Sequence, residues 1–116
     1  MGELPPQVQN LVAQLQQLQQ QLQVVITQRA QVEALLRDAE QALEELQKVE
    51  DDTPVYKAVG NVLVKEKKED VIKELTEKKE TYEIRIKTLQ RQEEKLRERF
   101  AETQQKLQNL LSPRAG

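Results

Sequence analysis

The sequence predicts a mostly α fold: a long antiparallel two-helix coiled coil broken at its midpoint by a β-hairpin. Three observations predict it. Apolar residues recur at alternating steps of three and four on both sides of the midpoint, the spacing of a heptad seam. Residues 55–65, Val-Tyr-Lys-Ala-Val-Gly-Asn-Val-Leu-Val-Lys, are instead apolar and β-branched residues set around a Gly-Asn turn. Charged residues make up 33% of the chain and aromatic residues 3%, at Tyr56, Tyr82 and Phe100, so the apolar content meets along a seam rather than in a thick core.

The whole of residues 1–116 reads as one domain. Its first helix is expected over residues 6–50: Pro5 and Pro6 suit a helix start, and Asp52-Thr53-Pro54 stops it. The seam of this helix runs from Val8 through Leu11, Leu15, Leu18, Leu22 and Val25 to Leu46, with Arg29 as a misplaced charge. The hairpin follows over residues 55–66. The second helix is expected over residues 69–111, opened by Glu69-Asp70 at the positive end of its dipole and closed by Ser112-Pro113. Its seam runs from Ile72 to Leu110, with polar breaks at Lys79, Glu93 and Thr103. Each seam covers 39 residues, or about 58 Å at the helical rise of ~1.5 Å per residue.

Folding the chain back at the hairpin sets Leu46 opposite Ile72 and, at the far end, Val8 opposite Leu110, so the two seams begin and end together. The same register puts Arg29 and Glu93 in neighbouring layers. Either the two reach each other diagonally and penalise register slips, or each snorkels separately to water.

With Gly60-Asn61 as a two-residue turn, Val59 pairs with Val62, Ala58 with Leu63 and Lys57 with Val64. Glycine supplies the positive φ such a turn needs, and asparagine tolerates it better than most residues. One face then carries Val55, Lys57, Val59, Val62 and Val64, the other Tyr56, Ala58, Leu63 and Lys65. Both faces hold apolar groups, both edges are open, and an isolated two-stranded hairpin is marginal. It either caps its own helices or enters a composite sheet. In the second case Val55, Tyr56, Val59, Gly60, Val62, Leu63 and Val64 form the joint between subunits.

At the helix ends remote from the hairpin, Leu4, Val12 and Leu111 lie beside the seam residues Val8, Leu11, Leu107 and Leu110. The tip therefore carries more apolar side chain than a two-helix seam uses. Fraying there would uncover apolar surface suited to weak contact with varied hydrophobic segments, and these seven residues are the candidate substrate-binding set. Ordinary helix-end packing is the alternative.

The stretch Thr53-Pro54-Val55-Tyr56-Lys57-Ala58-Val59-Gly60-Asn61-Val62-Leu63-Val64-Lys65, with Val71-Ile72-Lys73-Glu74-Leu75 after it, resembles the β-class subunits of prefoldin, in their compact archaeal form. The likeness covers the whole chain, the hairpin being its specific part. It implies a single prefoldin-like domain whose hairpin joins an oligomeric β-barrel of two α-class and four β-class subunits. It also implies an ATP-independent chaperone whose coiled-coil tips hold unfolded proteins and deliver them to a group II chaperonin.

Other functions lack their instruments. The chain has no cysteine and no histidine, hence no thiolate or imidazole for catalysis or for a metal. Glycine stands only at 2, 60 and 116, which rules out a phosphate-binding loop. Paired carboxylates such as Glu44-Glu45 and Glu93-Glu94 point to different sides of a helix, so no enzyme and no cofactor are expected. The acidic run Glu50-Asp51-Asp52 reads as a solvated connector rather than a cation site. A formal net charge of −2 argues against nucleic acid. The absence of a signal peptide and of a membrane-length apolar run points to the cytoplasm.

Two rivals share the heptads. A structural spacer would have the same arms without affinity for unfolded chains. An RNA-binding arm would need a basic tip, but Glu94, Glu98 and Glu102 interleave with Lys95, Arg97 and Arg99.

Overall fold

A computed structural model describes residues 4–112, and its elements run in the order α1 (Pro6–Lys48), β1 (Val55–Val59), β2 (Val62–Glu66) and α2 (Lys68–Leu111). The chain forms two compact units, residues 4–29 with 88–112 and residues 30–87.

In the first unit the start of α1 packs against the end of α2. Pro6 opens α1 where a missing N–H costs nothing, and the Pro5 carbonyl accepts the first backbone bond, from the Gln9 N–H at 3.0 Å. Val8, Val25, Leu89 and Thr103 are buried, and Leu11, Leu15, Leu18, Leu22, Leu96, Phe100 and Leu107 are half-buried. All are seam positions. Leu110 departs from the expectation: its partner in the register, Val8, is buried, but Leu110 itself is exposed. It lies one residue before the end of α2, where no further turn covers it.

Among the described residues Leu89 is the large side chain with no exposed surface, at 0%. Truncating such a residue removes transfer free energy and leaves a cavity that long parallel-sided helices close poorly. Leu89→Ala is expected to lower stability by about 2–5 kcal/mol, read from the urea midpoint of the helical signal.

The second unit contains the hairpin and the helix segments flanking it. Ala39 and Ile86 are buried, and Val32, Leu36, Leu43, Leu46, Ile72, Leu75 and Tyr82 are half-buried. The helix α1 stops at Lys48, two residues short of the expected end, and a turn follows in which the Thr53 N–H donates to the Glu50 carbonyl at 3.0 Å. Lys68 secures that end: its ammonium donates to the Val49 carbonyl at 2.8 Å and to the Asp51 carboxylate at 3.2 Å. A cation there satisfies an orphan carbonyl and complements the helix dipole. The helix α2 starts at Lys68, one residue earlier than expected, because the Lys67 carbonyl already accepts from the N–H groups of Asp70 and Val71.

Strands β1 and β2 pair antiparallel in the expected register, Val59 with Val62, Ala58 with Leu63 and Lys57 with Val64. At the turn only Gly60 has positive φ, at 58°, so Asn61 keeps an ordinary backbone. Positive φ at the first central residue alone is the pattern of a type II′ turn, which needs glycine there and leaves the second position free.

Candidate functional site

Among the described residues, exposed large apolar side chains gather at the helix ends and on the hairpin, and stand elsewhere at Val24, Leu35 and Ile84. At the ends, Leu4, Leu110 and Leu111 are exposed, Leu111 to 57%. Leu11, Val12 and Leu107 are half-buried beside them, and Val8 is buried. Leu11 and Leu110 line a depression of about 520 Å³ together with Gln7, Asn10, Lys106 and Asn109. The tip thus presents three leucines to solvent, with Val8 buried behind them.

On the hairpin the covering is confined to its base. Val55, Lys57 and Glu66 are half-buried, whereas Tyr56, Val59, Val62, Leu63 and Val64 are all exposed, Leu63 to 70%. Gly60 at the turn has open space around it. The strands do not fold back as a cap on the helices. Five large apolar side chains on both faces of a two-stranded ribbon form a surface of the kind that proteins cover with another chain.

An ion pair links the hairpin to α2. The Lys57 ammonium donates to both oxygens of the Glu74 carboxylate, at 2.8 and 3.0 Å, and Lys78 approaches the same carboxylate at 3.4 Å. The hydrogen bond from Lys57 holds the Glu74 carboxyl below its ordinary range, and the same bond holds Lys57 above its own. Nothing in the sequence marks this contact. Lys57 lies on a strand and Glu74 on a helix 17 residues later, and no periodicity relates the two.

The seam charges of the first unit do meet. Arg29 Nε donates to Glu93 Oε1 at 2.8 Å, and Arg97 Nε donates to Glu93 Oε2 at 3.0 Å. The carboxylate is therefore engaged on both oxygens, and its side chain is only 14% exposed. The hydrogen bond from Arg29 is the main reason the Glu93 carboxyl is held below the ordinary glutamate value; burial opposes it and Arg97 adds to it. With its folded value depressed, Glu93 stabilises the fold fully above the ordinary glutamate pKa, and this is lost as pH falls through the lowered one. A double-mutant cycle on Arg29→Ala and Glu93→Ala is expected to give a coupling of about 1 kcal/mol at neutral pH. The coupling should shrink toward zero in acid. A value near zero at neutral pH would mean that the pair is idle.

Among the described residues no group of His, Cys, Asp or Glu side chains is arranged to hold a metal ion, and no helix is long and apolar enough to cross a membrane.

Comparison with known proteins agrees with this architecture. A family model described as prefoldin subunit matches residues 9–114. The chain is 95% identical to a prefoldin subunit beta from Archaeoglobus fulgidus, over 116 residues and the full length of both. It is 49% identical to a prefoldin subunit beta from Thermococcus onnurineus, again over the full length of both. Among solved structures it is similar to the prefoldin beta subunit from Thermococcus strain KS-1, with a TM-score of 0.89 at 44% identity, covering 98% of this chain and 100% of that one. The beta2 subunit from the same strain shares the fold, with a TM-score of 0.72 at 22% identity over 78% of this chain.

Proposed function

The chain belongs to the prefoldin subunit family, a family of chaperone type, and from that premise we propose that it is an ATP-independent holdase subunit. Its hairpin joins those of an α-class partner and of further copies of itself, in a hexamer of two α and four β subunits. Its tip holds apolar segments of unfolded proteins in the cytoplasm and passes them to a group II chaperonin.

The observation that carries this reading is the pair of separate uncovered apolar surfaces, with Leu4, Leu110 and Leu111 at the tip and Tyr56, Val59, Val62, Leu63 and Val64 on the hairpin. One surface suits permanent burial between subunits and the other reversible contact with clients. Each tip contact is weak. Several tips on one assembly raise the effective concentration for the second contact to about the millimolar range, which turns weak contacts into retention. Nothing in the cycle calls for nucleotide, since the glycine-rich loop that would cradle its phosphates is missing from the sequence.

Light scattering tests the reading. A denatured substrate diluted into buffer with this subunit and an α-class partner, without nucleotide, is expected to stay clear at near-stoichiometric assembly. Unchanged aggregation with several substrates, despite a discrete hexamer, would make the protein a spacer instead.

A further inference from the structure

We propose that Lys57 and Glu74 form a strut that sets the angle between the hairpin and α2, and so positions the hairpin for assembly before any partner arrives. The proposal rests on the reading of the hairpin as the joint between subunits and adds to it the pair of residues that aims the joint.

The strut spans a short connection. Strand β2 ends at Glu66 and α2 starts at Lys68, so the single residue Lys67 lies between them. The Lys67 carbonyl accepts from the N–H groups of Asp70 and Val71, which ties it to the helix, but the soft backbone dihedrals at this junction still decide how the ribbon stands against α2. Glu74 follows Lys68 along α2 by six residues, or ~9 Å of helical rise. Lys57 pairs with Val64, two residues back from Glu66 along β2, or ~7 Å of strand. The ion pair therefore closes a triangle with Lys67 at its apex, and a swing of the hairpin about Lys67 changes the length of the side that the pair forms.

Among the described residues no other hydrogen bond or ion pair joins residues 55–66 to either helix. The half-buried residues Val55, Lys57 and Glu66 all lie at the base of one face, while Tyr56, Ala58, Leu63 and Lys65 of the other face are all exposed. The connection from α1 to β1, residues 49–54, is longer, and Lys68 pins it at Val49 and Asp51 rather than at the strand.

An exposed ion pair contributes little when it stands alone. This one is better placed: the Lys57 ammonium meets both Glu74 oxygens, Lys78 approaches the same carboxylate at 3.4 Å, and the Lys57 and Glu74 side chains are only 37% and 38% exposed. Orientation matters to a composite sheet, because strands pair only when they lie alongside one another at about 4.8 Å. A hairpin free to swing offers that geometry for part of the time, and its apparent affinity for a partner falls by the same fraction. The strut holds the joining geometry in the free subunit.

Spin labels test this, since the chain has no cysteine of its own. Labels are attached through Asn61→Cys at the turn and Glu80→Cys on α2, both exposed positions, and the distance between them is measured in the full-length subunit by pulsed electron resonance. One narrow distance is expected. Lys57→Met, which keeps the apolar stem, and Glu74→Gln should each replace it with a broad distribution at unchanged helical content, as should screening of the pair in about 1 M salt. Without labels, each substitution should raise the concentration of α-class partner needed for half-assembly about fivefold, and the two together no more than either alone. A narrow distance that survives both substitutions overturns the strut. A double variant whose loss is the product of the single losses also overturns it, since two residues that touch the partner independently give that result. A broad distribution with unaltered assembly overturns the positioning role. Failure of the unaltered subunit to assemble with the partner overturns the joint reading and the positioning role with it, whereas the distance measurement judges the strut by itself.

Discussion

Placing aspartate at Val59 and Leu63 is expected to abolish assembly with an α-class partner while leaving the helical content of the isolated subunit unchanged. The two residues lie on opposite faces of the hairpin and are both exposed in the single chain, so neither charge disturbs packing within the subunit. In a composite sheet each would have to be buried. Covering a large apolar side chain contributes about 1.5–3 kcal/mol, and burying an unpaired carboxylate in its place costs several more. The loss repeats in every β-type copy, so the hexamer should disappear from a sizing run rather than weaken slightly. Circular dichroism on the same sample provides the control. A variant that still forms the hexamer would remove the hairpin from the interface.

Deleting the residues before Leu11 and after Leu107 is expected to abolish suppression of aggregation without changing hexamer size. The deletion removes Leu4, Leu110 and Leu111, the exposed leucines of the tip, and the buried Val8 behind them. It spares the Arg29, Glu93 and Arg97 network and the fully buried Leu89, which lie in deeper layers of the same unit. The shortened seam therefore keeps its register. In the proposed assembly several tips act together, so losing the apolar surface from every copy should lower holding capacity far more than single substitutions do. Undiminished suppression by the truncated hexamer would place client binding elsewhere.

Much of the fold was legible because its rules are local. The three-and-four spacing located the seam, and every α1 position on it is at least half-buried in its own unit. Gly60-Asn61 fixed the strand register to the residue. Arg29 and Glu93 stood out as charges on an apolar stripe, which made their meeting a question that geometry could answer. Helix ends were less exact. The Lys68 cap on the Val49 carbonyl and the Lys67 carbonyl that opens α2 depend on how the chain folds around the hairpin, and such contacts leave no pattern in the sequence. The Lys57 and Glu74 pair escaped notice for the same reason. The exposure of Leu110 was hidden by heptad counting, which treats the last turn of a helix like any other.

The central claim is that this subunit, in its assembly, holds unfolded protein without nucleotide. Size-exclusion chromatography with in-line mass measurement tests it most directly, on the hexamer mixed with a chemically denatured client and rapidly diluted. The account predicts a peak with the mass of one hexamer plus client and little loss of client to aggregate. A hexamer that elutes empty while the client aggregates would contradict it.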